Sequence, residues 1–144
     1  LEACVRQAIA DLSVALDEAI RKSSHGWERI ESIVKRVFRL ANNRPELLGL
    51  LREVTRLGPP ILTYAVDGIR PLLDGATMWL TEEMKAGRVR KSDPELLVLS
   101  AYSTIMGAAT EVKLFEALGE ESTIRDVAIR RKELLRFLKI ALIP

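Results

Sequence analysis

Apolar residues recur every three or four positions along almost the whole chain. This spacing places them on one face of an α-helix, and no stretch alternates apolar and polar residues as a half-buried strand would. The pattern predicts an all-α fold of about six helices. These are expected at Glu2–Lys22, at Trp27–Ala41, from Pro45 to the Gly58-Pro59-Pro60 stop, at Ile61–Ala86, from a cap at Asp93 to Leu118, and from Thr123 to Ile143.

Several boundary residues support these helices. Asp93 before Pro94 is a strong helix start, because Asp caps free backbone N–H groups and proline suits the first turn. Thr123 and Asp126 form a possible capping box. Pro71 lies inside the fourth predicted helix, where it removes one backbone hydrogen bond, so we expect a kink or a break there.

The fifth predicted helix is apolar nearly all round in its first half. A helix of this kind is buried on more than one side. It also carries small residues, such as Ala101 and Ala108, that let neighbouring backbones come close. This helix is therefore expected to contact more partners than one subunit provides.

Length and charge bound the function further. A chain of 144 residues is expected to form one domain, spanning residues 1–144. The net charge of +2 is too small to indicate electrostatic binding of nucleic acid.

No apolar run is long enough to span a bilayer, and the single cysteine, Cys4, fits a reducing compartment. We therefore expect a cytoplasmic protein with no membrane partner. Because the chain begins at Leu1 rather than Met, this end is expected to be a processed or cut boundary.

Residues for common catalytic chemistry are sparse. His25 is the single histidine, so neither a four-ligand zinc site nor a well-placed catalytic triad is expected. No glycine-rich phosphate loop is present. The pair Glu82-Glu83 and the histidine itself are interpreted as solvent-facing. We expect no enzyme, no metal and no cofactor, although carboxylate chemistry stays open.

The order and spacing of several short segments resemble the regulatory domain of the tetracycline-repressor (TetR) family of transcription regulators. The first helix also resembles the one that leaves the DNA-binding head in that family. The segments are Arg44-Pro45-Glu46-Leu47-Leu48, Gly58-Pro59, Lys85-Ala86-Gly87-Arg88-Val89-Arg90, Ser92-Asp93-Pro94-Glu95-Leu96-Leu97 and the terminal Leu142-Ile143-Pro144.

The resemblance implies a bacterial regulator, expected to be a repressor, that forms a homodimer through a four-helix bundle of its last two helices. It further implies a cavity among the first five helices, where a mostly apolar small effector changes DNA affinity. The family's helix-turn-helix head has no counterpart here, so operator DNA is expected to be bound only through a domain missing from this chain. No DNA-contacting residue is carried over.

Two residue sets follow as hypotheses. Aromatic and sulfur side chains on the second, fourth and fifth helices, with one carboxylate, are predicted to line the cavity: Phe38, Tyr64, Asp67, Met78, Trp79, Tyr102 and Met106. The predicted dimer interface contains Leu97, Ala101, Ile105, Ala108, Val112, Leu135 and Leu138.

Two alternatives remain at this point. The chain could be a purely structural oligomerisation domain without an effector, or a helical enzyme of an unrelated family. The presence or absence of an apolar cavity discriminates the first alternative from the sensing hypothesis.

Overall fold

The computed structural model describes residues 1–23, 25–119 and 123–144, without the side chains at 112 and 113. These residues form seven α-helices and no strand. The predicted all-α class is confirmed. The helices are α1 (Glu2–Lys22), α2 (Gly26–Asn43), α3 (Pro45–Leu57), α4 (Ile61–Lys85), α5 (Pro94–Thr110), α6 (Val112–Ala117) and α7 (Ile124–Leu142).

Helices α1 and α2 pack as an antiparallel pair. Side chains from the end of α1 meet the middle of α2, since Arg36 Nη2 lies 2.7 Å from Glu18 Oε2. Nearer the start of α1, Asp11 Oδ2 lies 3.8 Å from Arg44 Nη1, just beyond the end of α2. The residue numbers run in opposite directions along the two helices, which fixes the antiparallel arrangement.

Two main clusters of buried residues form the core. One joins α1, α2 and α3 to Met106 of α5. The other joins α2, α4, α5 and α7 around residues such as Val34, Leu80 and Leu138. The end of α7 is fixed by a backbone hydrogen bond of 2.7 Å, in which the Arg90 N–H donates to the Leu142 carbonyl. Helix α2 contributes to both clusters and so connects the two halves of the core.

Helix α4 continues without interruption past Pro71, so the expected break does not occur. Proline leaves the Asp67 carbonyl without its helical N–H partner. Both residues are exposed, and solvent can satisfy that carbonyl. One turn earlier, a methyl group added to Gly68 would lie 2.7 Å from Ile9 Cδ1, so α4 packs closely against α1 at this residue.

The prediction of one continuous helix from Asp93 to Leu118 is wrong. The backbone leaves helical geometry at Glu111, which separates α5 from α6. Arg52 of α3 donates to Thr110 Oγ1 at 2.8 Å and forms an ion pair with Glu111. Arg52 therefore contacts both the last residue of α5 and the residue at the break.

The predicted helix starts at Asp93 and Thr123 are confirmed. Asp93 Oδ1 accepts from the Leu96 N–H at 3.1 Å, and Thr123 Oγ1 accepts from the Asp126 N–H at 3.2 Å. Over the described ranges, no helix combines the length and apolar character that a membrane crossing requires.

Candidate ligand cavity

An apolar cavity of about 460 Å³ lies between the two main core clusters. Helices α1, α2, α4 and α5 supply its walls, and Leu142 of α7 closes one side. Exposed residues such as Ile20, Pro71 and Gly75 also border it, so it is open to solvent there. Much of the wall is aliphatic and includes Leu12, Leu16, Ile33, Val37, Leu72 and Ile105.

Tyr102 brings a polar group into this apolar wall. Its side chain is largely buried, and burial raises the pKa of the phenol, which therefore stays protonated at neutral pH. Its hydroxyl makes no hydrogen bond within the part of the chain that the structure describes. A hydroxyl without a protein partner at the wall of a cavity can donate to a bound molecule.

Two charged residues, Arg29 and Asp17, also line the cavity. Arg29 Cζ lies 5.0 Å from the centroid of the Trp79 ring, which is cation–π geometry. Loss of hydration lowers the pKa of Arg29, and the negative charge of Glu83 partly opposes that shift. The guanidinium is thus held at the cavity wall, partly removed from water.

Three of the predicted cavity residues border this space: Trp79, Tyr102 and Met106. Three residues predicted for the dimer interface, Leu97, Ala101 and Ile105, also border it. They face inward because the all-apolar first half of α5 packs against α2 and α4 within the same subunit.

The other four predicted residues do not line the cavity, and this part of the prediction is corrected. Phe38 is buried in the core cluster that α2 shares with α4 and α7. Tyr64 lies near the start of α4, where its hydroxyl accepts from Arg6 Nε at 2.9 Å. Asp67 and Met78 lie on the outer face of α4, and Met78 is 72% exposed.

The residues predicted for the dimer interface lie at different depths in the subunit. Leu138 is 5% exposed and packs inside the subunit, as Ala108 and Leu135 partly do. The side chain of Val112 lies outside the described residues. The apolar side chains that α7 leaves exposed are different ones, among them Phe137 and Ile140 at 61% and 67%.

Sequence reasoning missed Arg29 and Asp17 because charged residues on amphipathic helices are usually solvated. A weak signal was available for Arg29, which is next to Ile30 on the apolar side of α2 rather than opposite it. No comparable signal identifies Asp17.

A second polar cluster lies outside the cavity, at Glu83. This residue was interpreted as solvent-facing, yet it is 1% exposed. Its carboxylate accepts from His25 Nδ1 at 2.9 Å, from the Gly26 N–H at 3.3 Å and from Arg88 Nη2 at 3.3 Å. Burial alone would raise the pKa of Glu83, but these hydrogen bonds together lower it. The cluster joins the start of α2 to the end of α4.

Comparison with known proteins defines the fold alone. No protein-family model and no curated protein matches this chain. A solved structure of a protein described as having unknown function, from Rhodococcus sp. RHA1, is similar with a TM-score of 0.72 and 21% identity. The similarity covers 94% of this chain and 69% of that one. In the residues that the structure describes here, no group of side chains could hold a metal ion.

Proposed function

We propose that this chain is the effector-binding and dimerisation domain of a transcription regulator of the tetracycline-repressor type. A mostly apolar small molecule occupies the cavity and changes DNA affinity, and the DNA is bound by a separate N-terminal domain. The cavity carries the proposal, because its volume of about 460 Å³ falls within the usual range of ligand sites, about 300–1,000 Å³. A purely structural oligomerisation domain has no need of such a space.

Exposed apolar residues support dimerisation. On α5, Leu96 is 62% exposed and Leu99 is 44% exposed. Beyond them the exposed side chains of the helix include Ser100, Ser103 and Thr104, whereas Glu95 at its start is exposed and charged. Large exposed apolar side chains such as these on α5, and Phe137 and Ile140 on α7, are typical of a protein interface. A second copy of the chain would cover them.

The position of α1 provides a route from the cavity to the DNA-binding domain. Four residues of α1 line the cavity: Leu12, Leu16, Asp17 and Ile20. In the family that the sequence resembles, the corresponding helix leads to the DNA-binding head. A ligand with different affinities for two positions of α1 would shift the spacing of two heads in a dimer, which is the requirement for allosteric coupling.

A cavity-filling variant tests the proposal. Ala76 of α4 borders the cavity, whereas Met78 on the same helix is exposed and does not. Nile red, a neutral apolar dye, should bind the unaltered chain with increased fluorescence. Ala76→Phe should weaken binding by about tenfold or more, equivalent to about 1.4 kcal/mol, because the added ring occupies the site. Met78→Phe adds a ring outside the cavity and should leave binding unchanged.

Equal binding of the dye to both variants would place the apolar site elsewhere. No dye binding at all by the unaltered chain would contradict the sensing function and favour the structural alternative. Circular dichroism melting of both variants checks that their folds are intact.

A further inference from the structure

We infer that the cavity takes an elongated aliphatic molecule with a single carboxylate, its chain along the apolar wall and its carboxylate at Arg29. This inference rests on the proposed function, since it names the chemical class of the effector. Three observations carry it: the shape of the cavity, the composition of its wall, and the placement of its charged residues.

The cavity extends along several turns of two helices. Its lining residues extend from Arg29 to Val37 on α2 and from Ile69 to Leu80 on α4. At 1.5 Å per residue these spans correspond to about 12 Å and about 16 Å of helix. A hydrocarbon chain laid along these helices can contact lining residues over the whole of both spans.

The wall offers dispersion contacts and few hydrogen bonds. Leucine, isoleucine and valine dominate it, and Trp79 and Tyr102 are its aromatic residues. The two aromatic side chains give a planar polycyclic molecule such as Nile red apolar contact but little stacking. Polar groups on the body of a ligand would lose their water without replacement over most of the wall. The polar part of the ligand must therefore be confined to one end.

Arg29 and Asp17 would select opposite head groups, and their surroundings favour Arg29. The guanidinium is held over the Trp79 ring, 5.0 Å from its centroid, and is partly removed from water, as its lowered pKa indicates. A carboxylate replaces that lost hydration through a two-point contact, which suits the planar guanidinium. Asp17 makes no hydrogen bond or ion pair to any described residue, so nothing holds its carboxylate toward the cavity. A preorganised group contributes more binding energy than one that must first be fixed.

Three probes with the same dodecyl chain and different head groups test the inference: dodecanoate, dodecanol and dodecylammonium, each below its micelle concentration. Each is titrated against Nile red bound to the unaltered chain. Dodecanoate should displace the dye with about tenfold higher affinity than dodecanol, the factor expected for one charge-assisted contact of about 1.4 kcal/mol. Dodecylammonium should bind most weakly.

Variants on one helix assign the head group to Arg29. Arg29→Gln should abolish the preference for the acid over the alcohol. Arg39→Gln is the matched control, because Arg39 is exposed on the same helix and does not line the cavity. Asp17→Asn should leave dodecanoate affinity unchanged or increased, since it removes a like charge.

The outcomes separate this inference from the proposed function. Equal affinity for acid and alcohol, or tightest binding of the ammonium probe with loss in Asp17→Asn, overturns the head-group assignment. Failure of all three probes to displace the dye overturns the aliphatic class. In these cases continued binding of Nile red, weakened by Ala76→Phe, leaves the proposed function standing. The comparison of head groups uses the unaltered chain, so it does not depend on whether any variant folds correctly.

Discussion

At the scale of single residues, the buried carboxylate of Glu83 connects two helices. It accepts hydrogen bonds from three residues, which are His25 and Gly26 at the start of α2 and Arg88 just after α4. A buried carboxylate is costly unless its oxygens are satisfied. Here the donors keep it ionised and lower its pKa despite its burial. Removing its charge should therefore weaken the attachment of α2 to the end of α4.

Glu83→Gln should lower the free energy of unfolding by about 2 kcal/mol at pH 7. Removing one partner of a buried ion pair costs about 3–5 kcal/mol, but solvent screens the half-exposed Arg88 and the exposed His25, which reduces the effect. Glu82→Gln, on the adjacent and exposed carboxylate, should cost less than about 0.5 kcal/mol. Urea unfolding of the two variants and the unaltered chain measures the difference.

The pH dependence of the same comparison has a definite sign. The folded state holds the pKa of Glu83 below its value in the unfolded chain, roughly 4.3. The stabilisation is therefore complete above that pH and is lost as the pH falls through the lower, folded value. The stability gap between the unaltered chain and Glu83→Gln should shrink below about pH 4. A gap that stays constant down to pH 3 would show that the charge of Glu83 contributes nothing.

At the scale of helices, hydrophobic periodicity and the residues at helix ends were enough to predict most helix positions. Glu2–Lys22 was located to the residue, since both its apolar stripe and its Ser-rich end are local features. The break at Glu111 was missed because no glycine or proline lies there. Its observed partner, Arg52, is 59 positions away in the sequence. Local patterns cannot show a helix end that coincides with a distant side chain.

The candidate site was less predictable for the same reason. Aromatic residues such as Tyr102 were found from their type, but only packing decides which side of α4 faces inward, so Met78 and Asp67 were placed wrongly. Arg29 was missed because what singles it out is its contact with Trp79, which lies on another helix. The chemistry of a cavity is a tertiary property, and a residue's type gives little information about it.

The approach of α1 to α4 gives a prediction at this scale. Gly49→Ala in α3 adds a methyl group in open space and should stabilise the protein by about 0.5–1 kcal/mol, through helix propensity alone. Gly68→Ala gains the same propensity, but its methyl group must displace the end of Ile9, which contacts two core clusters. It should therefore stabilise less or destabilise. Thermal unfolding of the two variants checks this. Equal stabilisation would show that the α1–α4 contact accommodates the added methyl group at no cost in stability.

At the scale of the whole molecule, α5 and α7 present apolar side chains that one subunit leaves uncovered. If a homodimer covers them, its interface should bury above about 2,000 Å² in total, as stable dimers commonly do. Phe137→Glu and Ile140→Glu should then each shift the protein toward the monomer, because each places an unpaired charge in the interface. Lys132→Glu, at an exposed position on α7, is the matched control.

Light scattering after size exclusion, at tens of micromolar protein, measures the effect. The unaltered chain and the Lys132→Glu variant should have twice the mass of one chain. A monomeric unaltered chain would contradict the dimer and leave the apolar face to some other partner.

The position of Leu142 has a consequence for the newly synthesised protein. The other residues that line the cavity lie at or before Met106, so its last wall comes from a helix made 36 residues later. At roughly 5–20 residues per second, translation of that interval takes about 2–7 s. Until that interval is complete, the cavity of the nascent chain lacks Leu142. The apolar wall proposed to hold an effector is then less covered than in the complete chain, and exposed apolar surface of this kind favours chaperone binding and misassembly.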